Sequence, residues 1–445
     1  MERICVIGAG YVGLVTAACF AELGHQITCF DVDEEKVREI GQGGVPIYEP
    51  GLEPIVRSNV RSRRLVATAS QAVALQDADF VFFCVDTPSM LDGGADLSRV
   101  RRAYFDVATA LGNRRPILVN KSTVPPGTVD AIHALLPRVA NSTGPFHVAS
   151  NPEFLREGHA VADFMHPLRV IIGARDRATA EAVARLYLTL NCPVLITDPA
   201  TAELTKYASN AFLATKISFI NEIAGICDRI GVDVSAVARG IGLDPRIGPD
   251  FLRAGIGYGG SCLPKDTAAL SHLVRTVGCH PRLLDAVREV NAVQPGLLVE
   301  RISAVSGPLK GASVAVLGLA FKANTDDIRS SPAIDLIRCL LQRGARVSVH
   351  DPEVHRVPGD LAPLVRLCAS PHEAVAGADV VVIATDWPQF KELDWRQLRR
   401  AMRGDVLADG RNLAEREAVE DAGFRYLGVG RGVSTSPAKV AVSLD

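Results

Sequence analysis

Apolar and polar positions change period along the chain, and the changes separate three kinds of region. From the start, short apolar runs alternate with helical patterns. Arg3–Gly8 and Gln26–Asp31 read as strands flanking an alanine-rich helix, and Asp79–Val85, Ile117–Lys121 and His147–Ser150 continue the series. Such alternation predicts a parallel sheet covered by helices on both faces. Beyond Pro199 the strand pattern fades. Helical periodicity then dominates two long segments, Ala202–Gly231 and Thr267–Ser303, with Pro295 expected to kink or interrupt the second unless it opens a helix. The glycine-rich passage Ile247–Lys265 between them suits neither helix nor strand. Strands return at Ser313–Leu317, Arg346–His350, Val380–Ala384 and Val406–Asp409.

The expected fold is α/β: two Rossmann-like, doubly wound parallel-sheet domains joined by a central helical region. Residues 1–199 form the first domain, 200–305 the helical region and 306–430 the second domain, with 431–445 a patternless, mobile tail. Two such lobes are expected to leave a ligand cleft. The chain of 445 residues is long enough for this, and 48% apolar content suits well-packed cores. A formal net charge of −2 gives no electrostatic case for nucleic acid or an anionic membrane as partner. No apolar run approaches the roughly 20 residues that cross a bilayer. The first strand begins almost at Met1, so no leader is expected before it. Ten cysteines show neither CxxC pairs nor zinc spacing, and Cys5, Cys29 and Cys84 lie inside apolar runs. Buried thiols, no metal and a reducing cytoplasm are the expectation.

The first strand runs into Gly8-Ala9-Gly10-Tyr11-Val12-Gly13, a GxGxxG pattern. Glycine there permits the tight turn, close approach of a diphosphate, and close helix–strand packing, while the next helix aims free N–H groups at the phosphates. The pattern alone is weak, but here it sits between strand and helix, and Asp31 closes the second strand. A carboxylate there accepts from a ribose diol and repels a 2′-phosphate, which favours NAD over NADP. Asp33 reads as a surface turn former. Lys36 is placed near the adenosine or on a solvated helix face. The bland alternative is a Rossmann-like domain that binds no dinucleotide.

Candidate chemistry lies in three places. Gly257–Asp266 delivers Cys262 to an apparent helix start, where the dipole favours a thiolate, and Asp266 follows four residues on, on the same face. The alternative is a structural cysteine beside a capping acid. Lys206 and Asn210 head an apolar stripe on the first long helix and suit a developing oxyanion, unless Lys206 merely reaches solvent. Asn151–Gly158 follows a predicted strand and carries Glu153 and Glu157, candidates for acid–base work or for capping the next helix. Thr123, at the end of the preceding strand, is expected to point its hydroxyl toward the cleft.

These pieces, taken in order, resemble the UDP-glucose/GDP-mannose dehydrogenase family up to about Gly428. The matching segments are GAGYVGL, YEPGLE at Tyr48–Glu53, KSTVPPGT at Lys121–Thr128, NPEFLREG at Asn151–Gly158, AELTKYASNAFLATKISFINE, RIGPDFL, GYGGSCLPKD, LGLAFKANTDDIRSSP and DGRN. The resemblance implies a four-electron oxidation with two NAD, in which Cys262 captures an aldehyde and carries a thioester. Lys206 and Asn210 match the oxyanion and water-binding pair, and Asp266 the acid–base or water-orienting carboxylate. Glu153 matches the acid–base group for hydrolysis, and Thr123 lies beside the reactive water and nicotinamide. Cofactor contacts carried over are Gly8, Gly10, Tyr11, Val12, Gly13, Asp31, Lys36, Thr87, Thr123, Glu157 and Arg329. Substrate contacts are Glu153, Phe154 and Leu155 (the last two by backbone), Lys206, Asn210, Arg246, Tyr258, Gly259, Phe321, Lys322 and Arg411. Arg246 is expected to reach a neighbouring subunit's site across a homodimer or higher homo-oligomer, with the central helices as interface.

Asp86 departs from the family pattern, where a small or neutral residue is usual near the cofactor; the sequence leaves open whether it faces phosphates or solvent. Leu263 in place of a commoner Phe is a milder departure. UDP-glucose is the favoured substrate, with dTDP-glucose and GDP-mannose as alternatives, and the product would be a uronate. A two-electron hydroxyacid dehydrogenase would need neither Cys262 nor a second lobe. A catalytically silent nucleotide-sugar sensor would not need Cys262 or Lys206.

Overall fold

The computed structural model describes residues 1–140 and 145–432. The expected tail therefore lies, beyond Gly432, outside the described residues. The chain divides into two compact units, one of residues 1–209 with 272–278, the other of residues 210–271 with the described residues from 279 on.

The first unit is built on eight strands: β1 Arg3–Ile7, β2 Gln26–Phe30, β3 Leu65–Thr68, β4 Phe80–Phe83, β5 Ile117–Asn120, β6 His147–Ser150, β7 Val170–Ala174 and β8 Val194–Thr197. Their order is β3-β2-β1-β4-β5-β6-β7-β8. Neighbours pair in parallel except β6 and β7, which run antiparallel through Ala149–Ala174 and Ser150–Gly173. The central strands β1 and β4 are apolar on both faces because helices cover both, and two buried clusters result. One holds Val6, Leu14, Phe20 and Phe82, the other Ile7, Phe83, Tyr104 and Leu118. The helix Tyr11–Glu22 buries its whole length from Gly13 to Ala21, which is why its sequence shows no polar stripe.

The second unit carries six strands: β9 Ser313–Leu317, β10 Arg346–His350, β11 Val365–Leu367, β12 Val380–Ile383, β13 Val406–Asp409 and β14 Arg425–Gly428. They are ordered β11-β10-β9-β12-β13-β14, all parallel. The doubly wound pair of parallel sheets expected from the sequence is thus present, with helices between them in the chain. The first of these, Pro199–Ile230, is 32 residues long.

The second helical segment differs from expectation. It divides into Leu263–Thr276 and Arg282–Ser306, and the helix runs through Pro295. The break falls instead where Gly278 takes a positive φ of 79° and Pro281 caps the next helix. A glycine in the left-handed region is a common way for a helix to end.

Candidate active site

At the C-terminal end of β1 the glycine-rich turn is tight. A side chain at Gly13 would put its Cβ 1.8 Å from the Gly8 carbonyl oxygen, whereas at Gly10 it would meet nothing within 4 Å. Gly13 is therefore needed for helix–strand contact, and Gly10 leaves open the space a diphosphate needs. Asp31, just past β2, accepts from the Ala9 N–H at 2.7 Å and, through its other oxygen, from the Asp33 N–H at 3.0 Å. This latches the acid to the turn. Asp33 is the N-cap of the helix Glu34–Gly41, accepting from the N–H groups of Glu35 and Lys36. Tyr11 accepts at its hydroxyl from the Gly158 N–H at 2.7 Å, so the variable part of the GxGxxG turn holds the loop after β6. Val12 packs against the first core cluster. The buried Thr87 hydroxyl donates to the Thr123 carbonyl at 2.9 Å, joining the ends of β4 and β5. Asp86 points outward: its carboxylate is 74% exposed and paired with Arg99 at 3.2 Å. These features fit a dinucleotide whose diphosphate lies on the turn, with Asp31 beside its ribose.

The loop after β6 holds the most demanding electrostatics of this unit. Glu153 and Lys206 form an ion pair of 2.9 Å with side chains only 5% and 3% exposed. Glu153 also accepts from the Leu155 N–H at 2.6 Å. Burial by itself would push this carboxyl up, but Lys206 and the N–H donor together hold it below its ordinary value. A buried pair of this kind is costly to desolvate and costs more still if one partner is removed. Phe154 presents its ring to two cations, with the Arg169 guanidinium at 3.9 Å from its centroid and the Lys206 ammonium at 5.3 Å. Glu157 is half-buried in the same loop.

The second unit gathers the other candidates. Asn210, one helical turn beyond Lys206 on the helix Pro199–Ile230, donates to Asp266 at 2.6 Å, and Lys265 pairs with the other oxygen of Asp266 at 2.6 Å. Asp266 is 1% exposed. Cys262 stands at the N-cap of the helix Leu263–Thr276, its carbonyl accepting from the Asp266 N–H at 2.9 Å, with the Ser261 hydroxyl 3.6 Å from its sulfur. Gly259 must be glycine, since a Cβ would come within 2.2 Å of the Ser330 carbonyl oxygen. Tyr258 is pinned through its backbone by Asn291, at 2.8 and 3.0 Å. Arg411 spends its guanidinium on three carbonyls, those of Ala384, Gly257 and Phe321, at 2.8 to 3.0 Å. It so ties the cysteine loop to the end of β12 and to the Phe321–Lys322 turn. Lys322 lies 5.5 Å from the Phe321 ring centroid. Arg329 is engaged by Asp327, and the exposed Arg246 by Asp244.

Several residues escaped sequence reasoning. Glu49, in YEPGLE, is buried and accepts from the N–H groups of Gly158, Ala160 and Val161, capping the helix Ala160–Met165. Glu203 accepts from Gly127 and Val129 at the start of the helix Thr128–Val139. Arg169 reaches Phe154 because β7 runs antiparallel to β6, which brings its first residues to the end where β6 finishes. Strand direction has no local sequence signal. In the second sheet Asp351, just past β10, mirrors Asp31 in position but is 3% exposed. Its oxygens accept from Leu319, Ala320, Glu353, Val354 and the Trp387 indole. It is structural, and the second sheet lacks the open acid of a ribose site.

The open acid beside a glycine turn and the cysteine-bearing loop fit an NAD-dependent dehydrogenase, and the family matches place it among those acting on nucleotide sugars. The chain belongs to the UDP-glucose/GDP-mannose dehydrogenase family: the family's NAD binding domain matches residues 2–191, its central domain 200–293 and its UDP binding domain 315–416. It is 47% identical to a UDP-glucose 6-dehydrogenase of Pseudomonas aeruginosa, over 96% of this chain and 97% of that one. It is 44% identical to the UDP-glucose 6-dehydrogenase TuaD of Bacillus subtilis, over 97% and 94% of the two chains. Among solved structures, a UDP-glucose dehydrogenase of Pyrobaculum islandicum superposes with a TM-score of 0.91 at 41% identity, covering 97% of this chain and 98% of its own.

Proposed function

We propose that this enzyme oxidises UDP-glucose at C6 to UDP-glucuronate, releasing two NADH for each sugar. The observation that carries the reading is the buried Glu153–Lys206 pair, in a chain that also presents Cys262 at a helix N-cap and whose relatives at 44 and 47% identity are UDP-glucose 6-dehydrogenases. Gly8–Gly13 and Asp31 would hold NAD, which when bound would supply the hydride acceptor for both oxidations. Thr87, Thr123, Glu157, Lys36 and Arg329 are the further contacts we assign to it.

The residues of the chain do the rest. In the first oxidation C6 loses a hydride and its hydroxyl loses a proton, which we assign to the Asp266 carboxylate, and an aldehyde is left at C6. The Cys262 thiolate adds to it, the S–C bond forms, and the oxygen becomes an alkoxide that Lys206 and Asn210 stabilise. The second hydride leaves from that carbon and the C–O bond becomes the thioester carbonyl. Water then attacks, Glu153 takes its proton, and the C–S bond breaks to return the thiol and release the carboxylate. Asp266, fixed by Asn210 and Lys265, orients water or shuttles protons. Phe154 and Leu155 by backbone, with Tyr258, Gly259, Phe321, Lys322 and Arg411, contact the nucleotide sugar. In the structure the Leu155 N–H is already engaged by Glu153, so Leu155 offers its carbonyl.

We assign domains of residues 1–199, 200–305 and 306–430. A homodimer is supported by the long helix, whose Phe212, Phe219 and Ile226 stand seven residues apart and are 66%, 51% and 50% exposed. That spacing puts them on one face, an apolar stripe uncommon on a lone surface helix. Arg246 would then serve the partner's site. Ten free thiols suit a reducing cytoplasm. Cys262→Ser tests the covalent course: it should bind NAD and UDP-glucose yet stop after the first oxidation. Acid production at the parent rate would refute it.

A further inference from the structure

The loop that presents Cys262 is held from outside itself. The Gly255 N–H donates to the Asn221 side-chain oxygen at 2.8 Å, and the Ile256 N–H to the Gly410 carbonyl at 2.9 Å. Arg411 donates to the Gly257 carbonyl at 2.8 Å. Tyr258 is buried, and one side chain takes both of its backbone groups. Its N–H donates to Asn291 Oδ1 at 2.8 Å, and its carbonyl accepts from Asn291 Nδ2 at 3.0 Å. Buried backbone groups need such partners, and the paired bonds fix the orientation of Tyr258 as well as its position.

Asn291 belongs to the helix Arg282–Ser306, and Pro295 stands four residues on. Proline has no N–H, so it gives the Asn291 carbonyl no helical bond. The loop packs on this turn: a Cβ at Gly257 would stand 2.8 Å from Asn291 Oδ1 and 3.3 Å from the Asn291 carbonyl oxygen. Between Tyr258 and Cys262 lie Gly259, Gly260 and Ser261. Glycine backbones have wide freedom of their own. The Gly260 N–H is tied to the Arg329 carbonyl at 3.0 Å. A nucleophile that follows two glycines takes its place from the anchors around them, and Asn291 anchors the residue before.

We propose that Asn291 is a positioning residue for the nucleophile, setting the approach of the Cys262 sulfur to the C6 aldehyde. The inference rests on the covalent course given above. Capture forms the S–C bond and keeps the aldehyde on the enzyme until the second hydride leaves. Where capture is slowed the aldehyde departs first, and one hydride rather than two is collected as NADH. Asn291→Leu removes both bonds to Tyr258 at similar volume. Val380→Ala opens the buried core of the same unit, at the opposite end of β12 from Ala384. It weakens the fold and leaves the loop's anchors in place.

The experiment counts NADH and UDP-glucuronate per UDP-glucose consumed, with semicarbazide present to trap released aldehyde. The parent and Val380→Ala should give about two NADH per sugar. Asn291→Leu should give a ratio falling toward one, with the missing acid recovered as semicarbazone. An undiminished ratio from Asn291→Leu would overturn the inference. So would an equal fall in Val380→Ala, which would make the effect one of stability alone. If the Leu variant does not fold, Asn291→Asp, which keeps the acceptor for the Tyr258 N–H and loses the donor, is read in the same way. A parent enzyme that itself gives one NADH would overturn the covalent course and the inference with it, so the two failures are distinct.

Discussion

Replacing Gly13 and Gly10 in turn by alanine separates what the fold needs from what the cofactor needs. At Gly13 the new Cβ stands 1.8 Å from the Gly8 oxygen, and real Cβ atoms essentially never come closer than 3.0 Å to such a neighbour. Helix and strand must therefore part by more than an ångström. The helix cannot move freely, because every residue from Gly13 to Ala21 is buried. Overpacking of this kind costs about 3 kcal/mol at the upper end of its usual range. Alanine's better helix propensity returns roughly 1 kcal/mol, so the net loss should be about 2 kcal/mol or more. At Gly10 the backbone is extended, with φ −72° and ψ −170°, and a Cβ meets nothing. Stability there should change by less than about 0.5 kcal/mol. The methyl group nonetheless occupies the open space over the turn, and NAD affinity should fall tenfold or more, about 1.4 kcal/mol. Urea unfolding and calorimetric NAD titration read the two effects. A Gly10→Ala enzyme with parental NAD affinity would remove the diphosphate from this turn, and a Gly13→Ala enzyme of parental stability would refute the close contact.

Other perturbations follow from the same geometry. Lys206→Met strands a buried carboxylate and should lose about 3–5 kcal/mol at pH 7. In the parent, Glu153 is held below its unfolded value, so the stability it contributes is present above about pH 4.5 and lost as pH falls through its folded value. The deficit of the Met variant should accordingly shrink in acid, and a pH-independent deficit in urea titrations would contradict the pair. Asp31→Asn should narrow the preference for NAD over NADP; unchanged kcat/KM ratios would take Asp31 off the ribose. Phe219→Glu should shift sedimentation toward monomer, and a fully active monomer would contradict a composite site that uses Arg246.

The legible parts of this protein were those whose cause is local. The GxGxxG turn and Asp31 could be placed because tight turns and strand ends are written in neighbouring residues. The strands β1, β4, β9 and β12 announced themselves as apolar runs, being buried on both faces. The strands β3, β8, β11 and β14 did not. They are short and lie at or next to sheet edges, and Val194, Leu195 and Ile196 of β8 are all substantially exposed. Their apolar pattern is too brief to separate from loop. Glu153 and Lys206 were each named, but their pairing across 53 residues of chain is a tertiary fact. Arg169 was missed because its position depends on the antiparallel direction of β7. Lys121 read only as the end of a strand, since burial of its ammonium depends on Asn151 and Tyr187, which the fold brings from elsewhere. At Pro295 the helix is not interrupted, and the break in that segment falls at Gly278 instead.

The central claim is a four-electron oxidation of one nucleotide sugar, and the most direct test is NADH released per sugar consumed, with UDP-glucose, dTDP-glucose and GDP-mannose each limiting in turn. The account predicts about two NADH per UDP-glucose, as covalent capture of the aldehyde requires, and far less from the other two. One NADH per UDP-glucose, with free aldehyde in solution, would contradict it.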